Sequence, residues 1–190
     1  SVVVFTTDHG ASLGEHNRTG KSNINDRDDR SWPLYPELAH VPCLVAAPGL
    51  EGGRQVDIMA QPFDILPTVA DLAGIDLQPA EPMHGASFAE HLREEQTVPF
   101  RETAICASYL PHERADVPGE GMMPVLYTDR YAYVPMRPEG NVELYALKDD
   151  PYAEKNVAPD APRVVAEMQT QLRAYMEEIS APEELIRMLS

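Results

Sequence analysis

The residues richest in chemistry lie in one run near the start of the chain: Asp8-His9-Gly10, then Leu13-Gly14-Glu15-His16, Arg18 and Gly20-Lys21. A carboxylate and an imidazole on adjacent residues can both reach one cation. Hard divalent ions prefer oxygen ligands, and a single histidine is compatible with several such ions. Gly10 lets the backbone turn sharply or approach closely. A plainer reading stands beside this one, in which Asp8 caps a turn and His9 is an internally satisfied polar residue. Arg18, Arg27 and Arg30 offer either contacts to an anionic group or, with neighbouring aspartates, a solvated face.

These residues need a strand to present them. Residues 2–6 form a short apolar, β-branched run, which predicts a strand buried on both faces as in a parallel sheet. Asp8 and His9 then fall in the loop at its carboxyl end, where open α/β sheets place ligands. Residues 11–40 are polar and read as a solvated surface loop, with a charged stretch at residues 26–30. Residues 41–47 predict a second buried strand, with Cys43 as a small buried hydrophobe.

Asp64 to Ala73 reads as a helix capped by Asp64 and stopped by Gly74, with Ile65, Leu66, Val69, Leu72 and Ala73 on one face. A shorter helix is expected over residues 87–93. Beyond about residue 98 the texture changes. Residues 102–109, 125–128, 131–136 and 143–147 are strand-like runs separated by turn residues, which predicts an antiparallel sheet. Asp160 and Pro162 open a last helix, with Val164, Val165, Met168, Leu172 and Met176 as its packing face. The expected organisation is an α/β part over residues 1–98 and a small α+β subdomain over residues 99–190.

The net charge of −16 repels phosphate backbones and anionic membrane surfaces, so nucleic acid and membrane are not expected partners. Any anion site here must be locally positive. Cys43 and Cys106 match no metal or redox spacing, and two unpaired cysteines weigh slightly against an oxidising compartment. The chain opens in mid-strand without a methionine, so a preceding segment of the natural polypeptide is expected.

In sequence order, Thr7-Asp8-His9-Gly10, Leu13-Gly14-Glu15-His16, Gly20-Lys21, Tyr35-Pro36-Glu37 and Val41-Pro42 resemble the sulfatase family of the alkaline-phosphatase superfamily. The resemblance continues through residues 64–74, His84-Gly85-Ala86-Ser87-Phe88, Thr128-Asp129-Arg130-Tyr131, residues 143–151 and Asn156-Val157-Ala158. It implies the carboxy-terminal half of such an enzyme: a parallel, alkaline-phosphatase-like sheet portion followed by the α+β subdomain.

By the same resemblance, Asp8 and His9 are ligands of a divalent metal, usually calcium. His9 stands where many members have Asn, which brings manganese and magnesium in as alternatives. Lys21 and His9 are the implied catalytic residues, and Lys21, His16 and Arg18 the implied substrate contacts. The family's formylglycine arises in a Cys/Ser-x-Pro-x-Arg motif that does not occur in this chain. It is therefore expected in the amino-terminal half, which is the partner this chain needs besides a small-molecule or carbohydrate sulfate ester. The 190-residue chain alone is then expected to be inactive. Glu37 is expected to anchor the loop rather than act as a base. Two rivals remain: a phosphonate or phosphate ester hydrolase of the same superfamily, and a non-catalytic fragment.

Overall fold

The computed structural model describes residues 1–20, 22–23, 33–79, 82–94, 98–109, 122–135 and 142–189. Two compact units emerge, Ser1–Asp8 with Pro42–Ala104, and His9–Val41 with Ile105–Ser190. The chain is thus divided otherwise than by a single join near residue 98, and the segment after Asp8 folds with the carboxy-terminal portion.

In the first unit, β1 (Val3–Thr6) pairs with a strand at Cys43–Ala46. The pairing is antiparallel, Phe5 lying opposite Leu44 and Val4 opposite Val45. The expected α/β class holds, but the expected parallel pairing does not apply to these two strands. An apolar run records that a strand is to be covered and carries no signal for its partner's direction. Nor is β1 buried on both faces. Val3, Phe5 and Leu44 share one face by register, and that face is exposed. Cys43, expected to be buried, is exposed on the other face of the ribbon, opposite Thr6.

A 3-10 turn at Pro62–Asp64 leads into a helix at Ile65–Ala73, which ends at Gly74 with a left-handed φ of 69°. Asp64 does not cap this helix. Its buried carboxylate accepts from the Gln61 backbone N–H at 2.7 Å, the Ala86 N–H at 3.0 Å and the Arg101 guanidinium at 2.8 Å. The buried side of the helix is Pro67, Thr68 and Ala70, while Leu66 faces outward. Thr68 can be buried because its hydroxyl donates to the Asp64 carbonyl and accepts from the Phe88 N–H. A short helix follows at Ala89–Arg93, as expected.

The second unit begins with a small antiparallel sheet that the sequence reading took for a solvated loop. Its strands are β2 (Ser12–Leu13), β3 (Arg18–Gly20) and β4 (Ser22–Asn23). Helix α1 (Pro36–Ala39) follows; the Cys43–Ala46 strand is β5, the Ile65–Ala73 helix α2 and the Ala89–Arg93 helix α3. The four-stranded sheet then runs β6 (Ala104–Tyr109), β7 (Met122–Tyr127), β8 (Tyr131–Val134) and β9 (Glu143–Ala146), in that spatial order. β7–β8 and β8–β9 are antiparallel, as the sequence predicts.

Strand alternation sends Leu126, Tyr133 and Leu144 to one face, where helix α4 (Pro162–Glu178) packs Met168, Leu172 and Met176 against them. These are three of the five positions expected on the helix face, and Val164 and Val165 pack at its margin. Val125, Ala132, Val134 and Tyr145 point the other way and pack with Tyr35, from the segment leading into α1. A last helix, α5 (Glu183–Leu189), closes the first of these clusters with Leu189. No helix among the described residues is long and apolar enough to cross a membrane.

Candidate functional site

Asp8 and His9 stand just past the end of β1, where the apolar run predicts them. Asp8 is exposed, and the Thr7 hydroxyl donates to its Oδ1 at 3.3 Å. The His9 Nδ1 lies 2.6 Å from the Gly10 carbonyl. A carbonyl only accepts, so Nδ1 carries the proton and the lone pair of a neutral ring sits on Nε2. That is the tautomer a metal-ligating histidine adopts, with its other nitrogen donating to a backbone carbonyl. A carboxylate and a histidine of this tautomer are donor types that a divalent cation accepts. Among the described residues no group of three or more His, Cys, Asp or Glu side chains converges on one point, so further ligands would have to come from elsewhere. Lys21 lies outside the described residues, as do Arg27 and Arg30.

Gly10 is fixed by close approach. A Cβ there would stand 1.9 Å from the Glu37 carbonyl oxygen, and the Gly10 N–H donates to the Leu38 carbonyl at 2.9 Å. The following hairpin sets Ser12 beside Gly20, the residue that precedes Lys21. At its tip His16 and Asn17 hold left-handed φ values of 52° and 59°. For non-glycine residues such values cost on the order of 1 kcal/mol each.

A buried polar network holds that tip. His16 Nδ1 donates to Glu37 Oε1 at 2.9 Å, and Nε2 donates to the Ala153 carbonyl at 2.7 Å. Ser12 Oγ donates to the same Glu37 oxygen at 3.1 Å. The imidazole stacks on the Tyr35 ring, centroids 3.7 Å apart and planes 7° from parallel. The Tyr35 hydroxyl donates to Glu143 at 2.7 Å, and Arg18, only 1% exposed, places its guanidinium 5.9 Å from the Tyr35 ring centre. Glu37 thus anchors the loop, as the sequence suggests.

His16 and Arg18 take positions that their expected role in substrate binding does not foresee. Both ring nitrogens of His16 are engaged inside the fold, and Arg18 is buried beside an aromatic ring. The cause is compositional: two cations, two carboxylates and two tyrosines gather in a largely buried polar cluster, which a reading by polarity takes for surface.

The electrostatics follow from the pairing. Burial works against the charged form of His16, but the hydrogen bonds to Glu37 and Ala153 and the charge of Glu37 outweigh it, so His16 titrates above its ordinary value. Burial raises Glu37 in turn, and the hydrogen bonds from His16 and Ser12 with the imidazolium charge carry it below the ordinary carboxylate value. Burial pushes the Cys106 thiol up to about 11. Tyr35, Tyr145, Ala153 and Glu143 were not picked as network members from sequence. For Tyr35, Glu143 and Tyr145 the only signal was membership of the Tyr35-Pro36-Glu37 and residue 143–151 segments already noted, and Ala153 lies outside both.

The chain belongs to the sulfatase family, in its carboxy-terminal portion. The family model described as N-sulphoglucosamine sulphohydrolase, C-terminal, matches residues 28–181. A Delta 4,5-hexuronate-2-O-sulfatase of Bacteroides thetaiotaomicron is 32% identical over 181 residues, covering 93% of this chain and 34% of the relative. Arylsulfatase K of Bos taurus is 26% identical over 93% of this chain and 31% of its own length. Among solved structures, the phosphonate monoester hydrolase of Agrobacterium radiobacter superposes with a TM-score of 0.71 at 25% identity, over 93% of this chain and 35% of the other. The chain spans about a third of the length of the curated relatives it matches.

Proposed function

We propose that this chain works as the carboxy-terminal part of a sulfatase that hydrolyses sulfate esters of sugars or small molecules. Asp8 and His9 would hold a divalent cation, calcium first, with manganese and magnesium as alternatives. When bound, that ion supplies a Lewis acid that draws charge from a sulfate oxygen. The exposed Asp8 carboxylate contributes a hard oxygen donor. His9 contributes Nε2, its ring oriented by the bond from Nδ1 to the Gly10 carbonyl. Lys21 would meet a sulfate oxygen and stabilise the charge that builds there in the transition state.

The observation that carries this reading is the family match over residues 28–181, together with a strand-end Asp-His pair whose histidine has the tautomer of a ligand. The formylglycine nucleophile would come from polypeptide ahead of Ser1. The carbohydrate side of the reading draws on the relative named as a hexuronate-2-O-sulfatase. A second reading, phosphonate or phosphate ester hydrolysis, is favoured by the phosphonate monoester hydrolase among the structural neighbours and by His9 where many sulfatases carry Asn.

The test is to express the chain joined to its natural preceding sequence and to assay an aryl sulfate and a phosphonate monoester side by side. The sulfatase reading expects the higher kcat/KM on the sulfate, a loss of about 100-fold or more in Lys21→Ala, in the range of a lost transition-state donor, and no turnover by the isolated chain. Preference for the phosphonate would establish the second reading. Equal activity in wild type and Lys21→Ala would remove Lys21 from the site.

A further inference from the structure

We infer that His16, locked as an imidazolium between Glu37 and the Ala153 carbonyl, is the positioning residue for the loop running from His9 toward Lys21. This inference rests on the reading that His9 and Lys21 serve a catalytic site, and it adds what holds the segment between them in shape. Neither partner of the ring can donate to it: one is a carboxylate engaged by a second donor, Ser12, and the other is a backbone carbonyl. Only a doubly protonated ring satisfies both.

The clamp joins three parts of the second unit. Glu37 comes from α1, which also receives the Gly10 N–H one residue further on, at Leu38. Ala153 lies in the turn after β9. Its carbonyl is aimed by a left-handed φ of 55° and by Asp150, whose carboxylate accepts from the Glu154 and Lys155 N–H groups. His16 lies at the tip of the β2–β3 hairpin, where its own φ is left-handed. Strained backbone on both sides of one hydrogen bond persists when the bond and its surroundings hold it. Stacking on Tyr35 fixes the plane of the ring, and Tyr145 meets it edge-on at 6.2 Å.

The groups that face His16 are Glu37 from α1, Glu143 from β9, and Tyr35 and Tyr145, with Arg18 of β3 beyond the Tyr35 ring. The raised His16 value and the lowered Glu37 value set the working range. The contribution of His16 is complete below its ordinary value of 6.5 and is lost as pH rises through its raised folded value. That of Glu37 is complete above its ordinary value of 4.5 and is lost as pH falls through its lowered folded value. The clamp is therefore whole between 4.5 and 6.5 and opens on either side once the folded values are crossed.

The experiment uses the 190-residue chain with no metal or substrate present, so its outcome is independent of the sulfatase reading. Nitrogen-15 spectra of the His16 ring should show two protonated nitrogens at pH 6, with a titration midpoint above 6.5. Amide exchange of Leu13 to Gly20, corrected for intrinsic rates, should accelerate across that midpoint while the amides of β8 and β9 keep their protection. Glu37→Gln should lower the midpoint and speed loop exchange about tenfold at pH 6, in the range expected for losing a charged hydrogen bond. The wild-type spectra alone decide the matter if that variant fails to fold. One protonated nitrogen at pH 6, loop exchange indifferent to the His16 titration, or a Glu37→Gln protein with unchanged midpoint and exchange would each overturn the inference.

Discussion

Leu126, Tyr133 and Leu144 of the second unit are at most 1% exposed, whereas Val3, Phe5 and Leu44 of the first are 57%, 65% and 59% exposed, although all six are strand residues. The four-stranded sheet has α4 on one face and the Tyr35 segment on the other, and each face buries strand side chains among the described residues. The β1–β5 ribbon has two strands and an aligned apolar face in water. Two-stranded ribbons are marginal on their own, and contiguous apolar patches mark surfaces that other structure covers. In the proposed reading the cover of the β1–β5 ribbon is the preceding part of the sulfatase.

Three substitutions probe that contrast. Leu172→Ala, in the middle of the α4 contact, should cost about 3 kcal/mol in the isolated chain, read by denaturant unfolding. A loss below about 1 kcal/mol would mean that the second unit is not the stable part. Gly10→Ala should cost about 2 kcal/mol by forcing the loop off α1, because its Cβ would overlap the Glu37 carbonyl. Its signature is loss of the His16–Glu37 bond in ring spectra, and retention of that bond would contradict the close approach. Phe5→Thr should change the isolated chain by no more than about 0.5 kcal/mol, as surface substitutions do. In the longer protein the same change should cost about 2 kcal/mol or more, the worth of a buried aromatic side chain. Equal small effects in both would mean that nothing covers β1.

Legibility in the sequence followed the type of interaction. Elements built on apolar periodicity, such as α4 and the strands of the second sheet, were readable to within a few residues because burial of apolar groups leaves a spacing behind. The direction of the β1–β5 pairing was not, since Val-Val-Val-Phe reads alike beside either kind of partner. The buried side of α2 was misjudged because Thr68 is inside through hydrogen bonds and Leu66 is outside. The hairpin at residues 12–20 was missed for a related reason. Ser12, His16 and Arg18 are polar, and only their three-dimensional pairing with Glu37, Ala153 and Tyr35 turns them into core. Asp8 and His9 were legible from their place after a β-branched run, and the family order made their proposed role specific.

Metal content of the longer protein tests the account at its centre. Elemental analysis after exhaustive dialysis should find about one divalent ion per wild-type chain and little or none in the Asp8→Asn, His9→Ala double variant, with both proteins folded by circular dichroism. Undiminished metal in that folded double variant would mean that this pair does not hold the ion, and the proposed site would fall with it.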